Sequence, residues 1–188
     1  MDYPKININI IKIIDVLAQG KAYFNELHEK TKIKSKNNLL KNLNILTENK
    51  IVFKESNKSN TYYSLNYSNS ILIAILNLIN KSKFEKLPFI VKKSIIDSIF
   101  TLKPRIAVLF GSFARGNNNI NSDIDLIFFD ASNKKAVYEI SRNYEVKINV
   151  VFMKFKELDI LNESLKHILK TGYPLIGEEY FYNETKKI

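Results

Sequence analysis

The stretch of sequence that decides the fold is Val108-Leu-Phe-Gly-Ser-Phe-Ala-Arg-Gly-Asn-Asn-Asn-Ile-Asn-Ser-Asp-Ile-Asp-Leu-Ile-Phe-Phe129. The apolar residues Ile106 to Phe110 predict a short strand that ends at a Gly111-Ser112 turn, where a helix begins. Glycine lets the backbone of the turn approach a ligand closely, and Ser112 places a hydroxyl beside the backbone amides. The turn is therefore a candidate phosphate-binding loop.

Two aspartates follow the turn on the next predicted strand. Asp123 and Asp125 alternate with apolar residues, so both carboxylates point to the same face of the strand. Because like charges on one face repel each other, a cation between them stabilises the pair, and Mg²⁺ accepts such oxygens together with substrate phosphates. The alternative is a solvent-facing pair on an edge strand. The Gly-Ser turn upstream favours the metal site.

Two submotifs in this stretch resemble the signature of the minimal nucleotidyltransferases of the polymerase-beta-type superfamily: Gly111-Ser-x-Ala-Arg-Gly116 and Ser122-Asp-Ile-Asp-Leu126. The resemblance covers Arg105 to Gly177. It implies a small mixed sheet with helices that transfers a nucleoside monophosphate from an NTP to a hydroxyl, with Mg²⁺ as cofactor. It also implies that Asp123 and Asp125 hold the metal, and that the nucleotide is bound by Gly111, Ser112, Arg115 and Ser122.

One position departs from the family pattern, which has a third carboxylate on the following strand. The corresponding stretch, Lys147-Ile-Asn-Val-Val-Phe152, places Asn149 there, so the catalytic set is Asp123, Asp125 and Asn149. An amide can ligate a metal through its oxygen, but it carries no charge and cannot act as a base. Two functions stay open: a Mg²⁺-dependent transferase, and a transcriptional regulator with a degenerate domain that senses a nucleotide.

The acceptor hydroxyl is not identified by the sequence, and we expect it on a protein or an RNA. The resembled family includes antitoxin-type members that modify a helical partner protein, which makes a protein acceptor one of the options.

Positive charge is concentrated in the part of the chain that lacks these motifs. The net charge is +10; residues 1–104 carry seventeen basic and eight acidic side chains, whereas residues 105–188 carry twelve and eleven. A basic excess of this kind indicates contact with a polyanion such as double-stranded DNA. The alternative is a solvated, lysine-rich surface.

The opening third of the chain predicts three helices followed by a strand hairpin. An apolar stripe from Ile6 to Leu17 predicts the first helix, and helices at 23–30 and 35–49 precede strands at 51–53 and 61–65. This order resembles the winged helix-turn-helix family of DNA-binding domains, or the same fold used for protein contacts. By this resemblance the DNA-binding residues are Lys36, Asn37, Asn38, Lys41 and Asn42 on the third helix, and Lys54 and Lys58 on the wing.

A helical connector is predicted between the two parts of the chain. Ile71 to Ile79 is apolar almost all round and must be covered, either within the chain or by a second copy, and we expect a homodimer. A second connector helix begins after Leu87-Pro88. The predicted division is 1–67 winged helix-turn-helix, 68–104 connector and 105–188 nucleotidyltransferase, with helices at 133–142 and 163–170, a strand at 145–153, and a strand or turn at 173–177. The fold class is α+β.

The sequence gives little sign of export or of membrane insertion. It has no cysteine, the residues Met-Asp-Tyr-Pro at the start do not resemble a signal peptide, and the longest apolar run is shorter than the ~20 residues that a membrane span needs. We therefore expect a cytoplasmic protein with no membrane contact.

Overall fold

The computed structural model describes residues 5–57, 59–156, 168–169 and 171–185. Within these ranges the chain is a mixed α+β protein with helices and two small sheets, which confirms the predicted class. The chain forms two compact units, Met1–Ile79 and Asn80–Ile188. The three-part division predicted from the sequence, with boundaries after residues 67 and 104, stays a prediction.

The first unit begins with three helices and a small antiparallel sheet. In chain order its elements are α1 (Ile8–Leu17), β1 (Ala22–Tyr23), α2 (Phe24–Thr31), α3 (Lys36–Glu48), β2 (Val52–Ser56) and β3 (Thr61–Leu65). The strand order is β1-β3-β2, and both pairs are antiparallel. The helices and the hairpin lie where the sequence predicts them, and the short strand β1 is an addition to that prediction.

Helix α1 begins at a cap that the sequence reading overlooked. The side-chain oxygen of Asn7 accepts hydrogen bonds from the amides of Asn9 and Ile10, at 2.9 and 3.1 Å, which satisfies two donors of the first turn. Asp2 and Pro4, whose order along the sequence is typical of a helix start, lie outside the described residues. Most of the predicted apolar positions on the three helices are buried: Ile10, Ile13, Ile14, Leu17, Leu27, Leu39, Leu43 and Leu46. Ile6, which the prediction placed in the stripe of the first helix, precedes α1 and is 37% exposed.

The second unit is built on a four-stranded mixed sheet. After α4 (Ser70–Glu85), whose residues belong to both units, its elements are α5 (Phe89–Leu102), β4 (Ile106–Phe110), α6 (Gly111–Arg115), β5 (Ile124–Phe129), α7 (Lys134–Asn143), β6 (Ile148–Met153), β7 (Tyr173–Ile176) and α8 (Glu178–Thr185). The strand order is β6-β5-β4-β7. β4 pairs antiparallel with β5 and β7, whereas β5 and β6 are parallel and are connected through α7.

The central strands of this sheet are buried because they consist almost entirely of large apolar residues. In β5, residues Leu126 to Phe129 are buried, and β4 is buried from Ile106 to Leu109. The inner residues of α5, Val91 and Ile95, belong to the same core, and α5 packs against α7. Continuous apolar runs of this kind are typical of strands covered on both faces.

Most predicted boundaries in the second unit are correct to within a few residues. The predicted break at Leu87-Pro88 separates α4 from α5, and residues 173–176 form a strand rather than a turn. β6 begins three residues later than predicted, because Glu145 takes a left-handed backbone conformation with φ of 54° in the turn after α7. The predicted helix at 163–170 lies almost wholly outside the described residues.

None of the helices in the described ranges is long and apolar enough to cross a bilayer.

Candidate active site

The Gly111-Ser112 turn and Asp125 are in direct contact. Phe110, the last residue of β4, lies opposite Asp125 in the antiparallel register, so Gly111 follows directly beside that aspartate. Gly111 has φ of +71°, and a Cβ atom there would lie 2.1 Å from Asp125 Oδ2. Glycine is thus required for two separate reasons, the left-handed backbone and the close approach of the carboxylate.

The remaining residues of the predicted nucleotide-binding set lie around this turn. Ser112 is partly exposed in the first turn of α6, and Arg115 is exposed at the end of that helix. Ser122 has a structural task in the loop before β5, where its hydroxyl oxygen accepts a hydrogen bond of 2.8 Å from the amide of Asn119. The amide of Ser122 in turn donates to the Asn119 carbonyl, which closes the loop.

Asn149 lies against both aspartates. In the parallel register of β5 and β6 it is the partner of Asp125. Its side-chain nitrogen Nδ2 donates to Asp123 Oδ2 and to Asp125 Oδ1, each over 3.1 Å. The structure therefore brings together all three residues of the predicted catalytic set, and the amide of Asn149 bridges the two carboxylates.

Lys147 completes the cluster, and the sequence reading missed it. The backbone of Lys147 accepts a hydrogen bond from the amide of Ile124, which places its side chain next to Asp123. Its Nζ lies 2.6 Å from Asp123 Oδ2. The signal was present in the alternation of the predicted strand at 145–153, since Lys147 and Asn149 are two residues apart and share a face. It could be used only once the pairing of β6 with β5 was known.

Lys147 stabilises the ionised form of Asp123. The hydrogen bond from Lys147 lowers the pKa of Asp123 below its usual value, and the hydrogen bond from Asn149 acts in the same direction, whereas partial burial opposes both. An aspartate of ordinary pKa is already ionised at neutral pH, so the effect of Lys147 is to keep Asp123 ionised in more acidic solution.

A cavity of about 780 Å³ adjoins Asp123 and Lys147. Its walls come from the first turn of α5, from residues 118–124 before β5 and from residues 144–147 before β6. Ile90, Val91 and Phe113 supply apolar surface, while Ser122 and Glu145 add polar groups at the wall. The volume lies in the range of small-molecule sites, ~300–1,000 Å³.

The donor atoms at the site fit Mg²⁺ when a substrate supplies further oxygens. Asp123 Oδ2 and Asp125 Oδ1 both lie 3.1 Å from the Asn149 nitrogen, so the two carboxylates converge on one place at the edge of the sheet. Rotation of the Asn149 amide by 180° would turn its oxygen toward the same point. Among the described residues no group of three His, Cys, Asp or Glu side chains could hold a metal alone. Mg²⁺ commonly takes one or two carboxylates and completes its shell with water and phosphate.

Six of the seven predicted DNA-binding residues lie in the part of the chain that the structure describes, and one of these six is not exposed as predicted. Five of the seven are exposed: Lys36, Asn37, Asn38, Lys41 and Lys54. Lys58 lies outside the described residues.

Asn42 is buried, so the prediction that it faces outward is wrong. It is only 3% exposed because it shares the inner face of α3 with Leu39 and Leu46. Its Nδ2 donates to the backbone and side-chain oxygens of Asn38, and its Oδ1 accepts from Asn7. Its amide is thus a structural contact between α1 and α3.

Comparison with known proteins places the candidate site within a recognised domain. No curated protein matches the chain. A crystal structure of a toxin-antitoxin with AMP-PNP shares 23% sequence identity, over 50% of this chain and 83% of that chain, with a TM-score of 0.38. Residues 93–179, slightly less than half of the chain, match the family model described as polymerase beta, nucleotidyltransferase, and they include the Gly111-Ser112 turn, both aspartates, Lys147 and Asn149.

Proposed function

We propose that the second unit transfers a nucleoside monophosphate from an NTP, with Mg²⁺, to a hydroxyl of a protein or an RNA. The observation that carries this proposal is the contact of Asp125 with the Gly111 turn, which joins a candidate phosphate-binding loop to a pair of carboxylates. The match of residues 93–179 to a nucleotidyltransferase family supports it.

Each residue of the site would have a defined role in this reaction. The acceptor oxygen attacks the α-phosphorus, a new P–O bond forms, and the bond from the α-phosphorus to the bridging oxygen breaks to release pyrophosphate. Mg²⁺, when bound, neutralises charge on the phosphate oxygens. Asp123 and Asp125 would hold it, Ser112 and the adjacent backbone amides would bind phosphate, and Arg115 would contact phosphate or brace the loop.

The acceptor hydroxyl must lose its proton during the reaction. Asn149 stands where a third carboxylate would act as a base, and an amide cannot accept that proton near neutral pH. The proton therefore leaves to water or to a phosphate oxygen, and transfer is slow in the protein as it stands.

Incubation with labelled substrate tests the proposed activity. Purified protein is mixed with each of the four NTPs, labelled at the α-phosphate, together with Mg²⁺ and either cell protein or total RNA. Label that becomes attached to protein or RNA supports the proposal. The double variant Asp123→Asn with Asp125→Asn is the matched control, and equal labelling by this variant would contradict the assignment of the site.

A second candidate function is favoured by the state of the carboxylates. Lys147 and Asn149 already donate hydrogen bonds to one oxygen of each aspartate, which fits a site that binds a nucleotide without turning it over. The protein would then be a transcriptional regulator that senses a nucleotide, which requires that the nucleotide bind two arrangements of the chain with different affinity. A bound NTP that stays intact during prolonged incubation would favour this function.

Both candidate functions include DNA binding by the first unit. The exposed lysines and asparagines of α3, Lys54 on β2, and the order of three helices and a hairpin support a winged helix-turn-helix. The basic excess of residues 1–104 is consistent with duplex DNA as the partner.

We also propose a homodimer, although the apolar run that suggested it is partly covered. Leu72, Leu76 and Ile79 are buried in the single chain. Within the run Leu78 is 59% exposed, and further exposed apolar surface lies on α5, where Phe89 is 73% exposed and Phe100 is 78% exposed. Sedimentation of wild type and of Phe100→Ser tests whether this face joins two copies.

A further inference from the structure

We propose that Lys147 is an internal counter-ion of the nucleotide site: it neutralises Asp123 in the absence of metal, and moves to a phosphate of the nucleotide when a metal ion takes its place. This inference rests on the proposed nucleotide site and assigns a positioning role to a residue outside the predicted set. It concerns the binding of metal and nucleotide, and it holds for a transferase and for a sensor alike.

The hydrogen bonds of Asp123 show why a metal ion and Lys147 compete. A carboxylate oxygen has two lone pairs. At Asp123 Oδ2 two donors are present, Lys147 Nζ at 2.6 Å and Asn149 Nδ2 at 3.1 Å. A metal ion that binds this oxygen must therefore displace one of them.

Lys147 is the donor that can leave. Its side chain is 71% exposed and ends in a flexible stem, whereas the Asn149 amide is also held by Asp125 and by the register of β6. An ion pair this exposed is weak and is screened by salt. The charge of the ammonium is nevertheless close enough to Asp123 to repel a second cation from the same carboxylate.

The displaced ammonium remains within the site. Lys147 lies at the wall of the cavity next to Asp123, and the lining of that cavity includes neither Gly111 nor Ser112. A nucleotide whose phosphates extend from the Gly111 turn to a metal ion on Asp123 would bring negative charge close to this ammonium. Lysine binds phosphate as a point charge on a mobile stem. Lys147 would thus weaken the binding of a metal ion alone and strengthen the binding of a nucleotide together with its metal ion.

The test measures both halves of this exchange on the full-length protein. Binding of Mn²⁺ alone is followed by electron paramagnetic resonance for wild type, Lys147→Met and Lys147→Arg. We expect Lys147→Met to bind Mn²⁺ about two- to fivefold more tightly than wild type, the range that corresponds to an exposed ion pair. Lys147→Arg should behave like wild type, and the gain in Lys147→Met should shrink at 1 M salt.

The second measurement uses nucleotides that cannot be cleaved at the transferred phosphate. Binding of the α,β-methylene analogues of ATP, GTP, CTP and UTP is measured by calorimetry at saturating Mg²⁺. For the analogue that binds wild type best, we expect Lys147→Met to weaken binding at least threefold. Lys134→Met removes the same charge from α7, at the far end of β5, and should change neither affinity.

Opposite changes in the two affinities support the exchange. The proposal is wrong if Lys147→Met binds Mn²⁺ no more tightly than wild type does, or if neither protein binds Mn²⁺. It is also wrong if Lys147→Met binds the nucleotide analogue as tightly as wild type does. Failure of the proposed activity is a separate result, because a protein can show both affinity changes without labelling any acceptor. Circular dichroism of each variant confirms that the fold is retained, and Lys147→Gln repeats the test if Lys147→Met does not fold.

Discussion

Asn149 lies directly opposite Asp125 in the parallel pair of β5 and β6, and its Nδ2 donates to Asp125 Oδ1 over 3.1 Å. The same nitrogen donates to Asp123 Oδ2, so one neutral side chain spans the two acids. A carboxylate at this position would instead add a third negative charge to the cluster. The identity of residue 149 therefore sets the negative charge of the cluster.

We predict that Asn149→Asp raises nucleotide transfer or NTP turnover at least tenfold, because a positioned general base is worth about 10²- to 10⁴-fold. The variant keeps the size of the side chain and adds one charge. Without metal, repulsion among three carboxylates should lower the Tm, and Mg²⁺ should restore it. Labelled transfer and thermal unfolding with and without Mg²⁺ measure the two effects.

Asn25→Asp is the control for this change, since it adds the same charge to an exposed position of α2. A vigorous wild-type activity that Asn149→Asp leaves unchanged or lowers would show that no third acid is needed here.

Removal of both aspartates should abolish Mg²⁺-dependent NTP binding and leave the fold intact. The double variant Asp123→Asn with Asp125→Asn loses the negative charge that attracts the metal. Its metal-free Tm should stay close to that of wild type, because Lys147 and Asn149 already offset the repulsion between the acids. Calorimetric titration with Mg-NTP checks the prediction, and undiminished binding by the variant would refute the metal site.

Two glycines with the same backbone separate steric contact from backbone strain. Gly111 and Gly116 have φ of +71° and +70°, but only at Gly111 would a Cβ atom meet Asp125, since nothing lies within 4 Å of a Cβ at Gly116. We expect Gly116→Ala to lower the free energy of unfolding by about 1 kcal/mol, and Gly111→Ala by about 2 kcal/mol or more. Urea denaturation measures both values.

Gly111→Ala should also weaken Mg-NTP binding, because the added methyl group displaces Asp125. Equal stability and equal nucleotide binding in the two alanine variants would mean that the contact between Gly111 and Asp125 is unimportant.

The pKa of Asp123 reports on its contact with Lys147. The hydrogen bond from Lys147 lowers this pKa in the folded protein, so the stabilisation from the pair is present above the pKa of the unfolded chain. It is lost as the pH falls through the lower folded value, that is, below about pH 4. NMR titration of the Asp123 carboxyl carbon should show the pKa rising in Lys147→Met and staying low in Lys147→Arg. An unchanged pKa in Lys147→Met would show that the pair is absent in solution.

Duplex binding should depend on the exposed lysines of α3. Lys36→Ala and Lys41→Ala should each weaken binding to double-stranded DNA and reduce the slope of log K against log salt by about 0.9 per lost phosphate contact. Lys134→Ala on α7 removes the same charge from the second unit and is the matched control. Fluorescence anisotropy over a range of salt concentrations measures the slopes, and equal losses in all three variants would contradict the assignment of DNA binding to the first unit.

Much of the fold could be predicted because its signals are local. The stripe from Ile10 to Leu17 specifies a helix through its 3.6-residue period, and the alternation around Asp123 and Asp125 specifies a strand face. Proline lacks an amide hydrogen and is disfavoured in the interior of a helix, and Pro88 accordingly lies between α4 and α5 as the N-cap residue of α5. Asn42 shows the limit of such reasoning, since its polarity suggests exposure while its position on α3 places it against Asn7.

The sequence by itself determined the chemistry of the candidate site: a glycine turn, two acids on one face of a strand, and an amide where a third acid is expected. The tertiary structure decided which of these groups touch. Lys147 and Asp123 are 24 residues apart, and the helix α7 lies between their strands. Their contact depends on the register of β6 against β5, which is set by burial of apolar side chains across the whole sheet, and a shift of one residue would turn Lys147 to the other face.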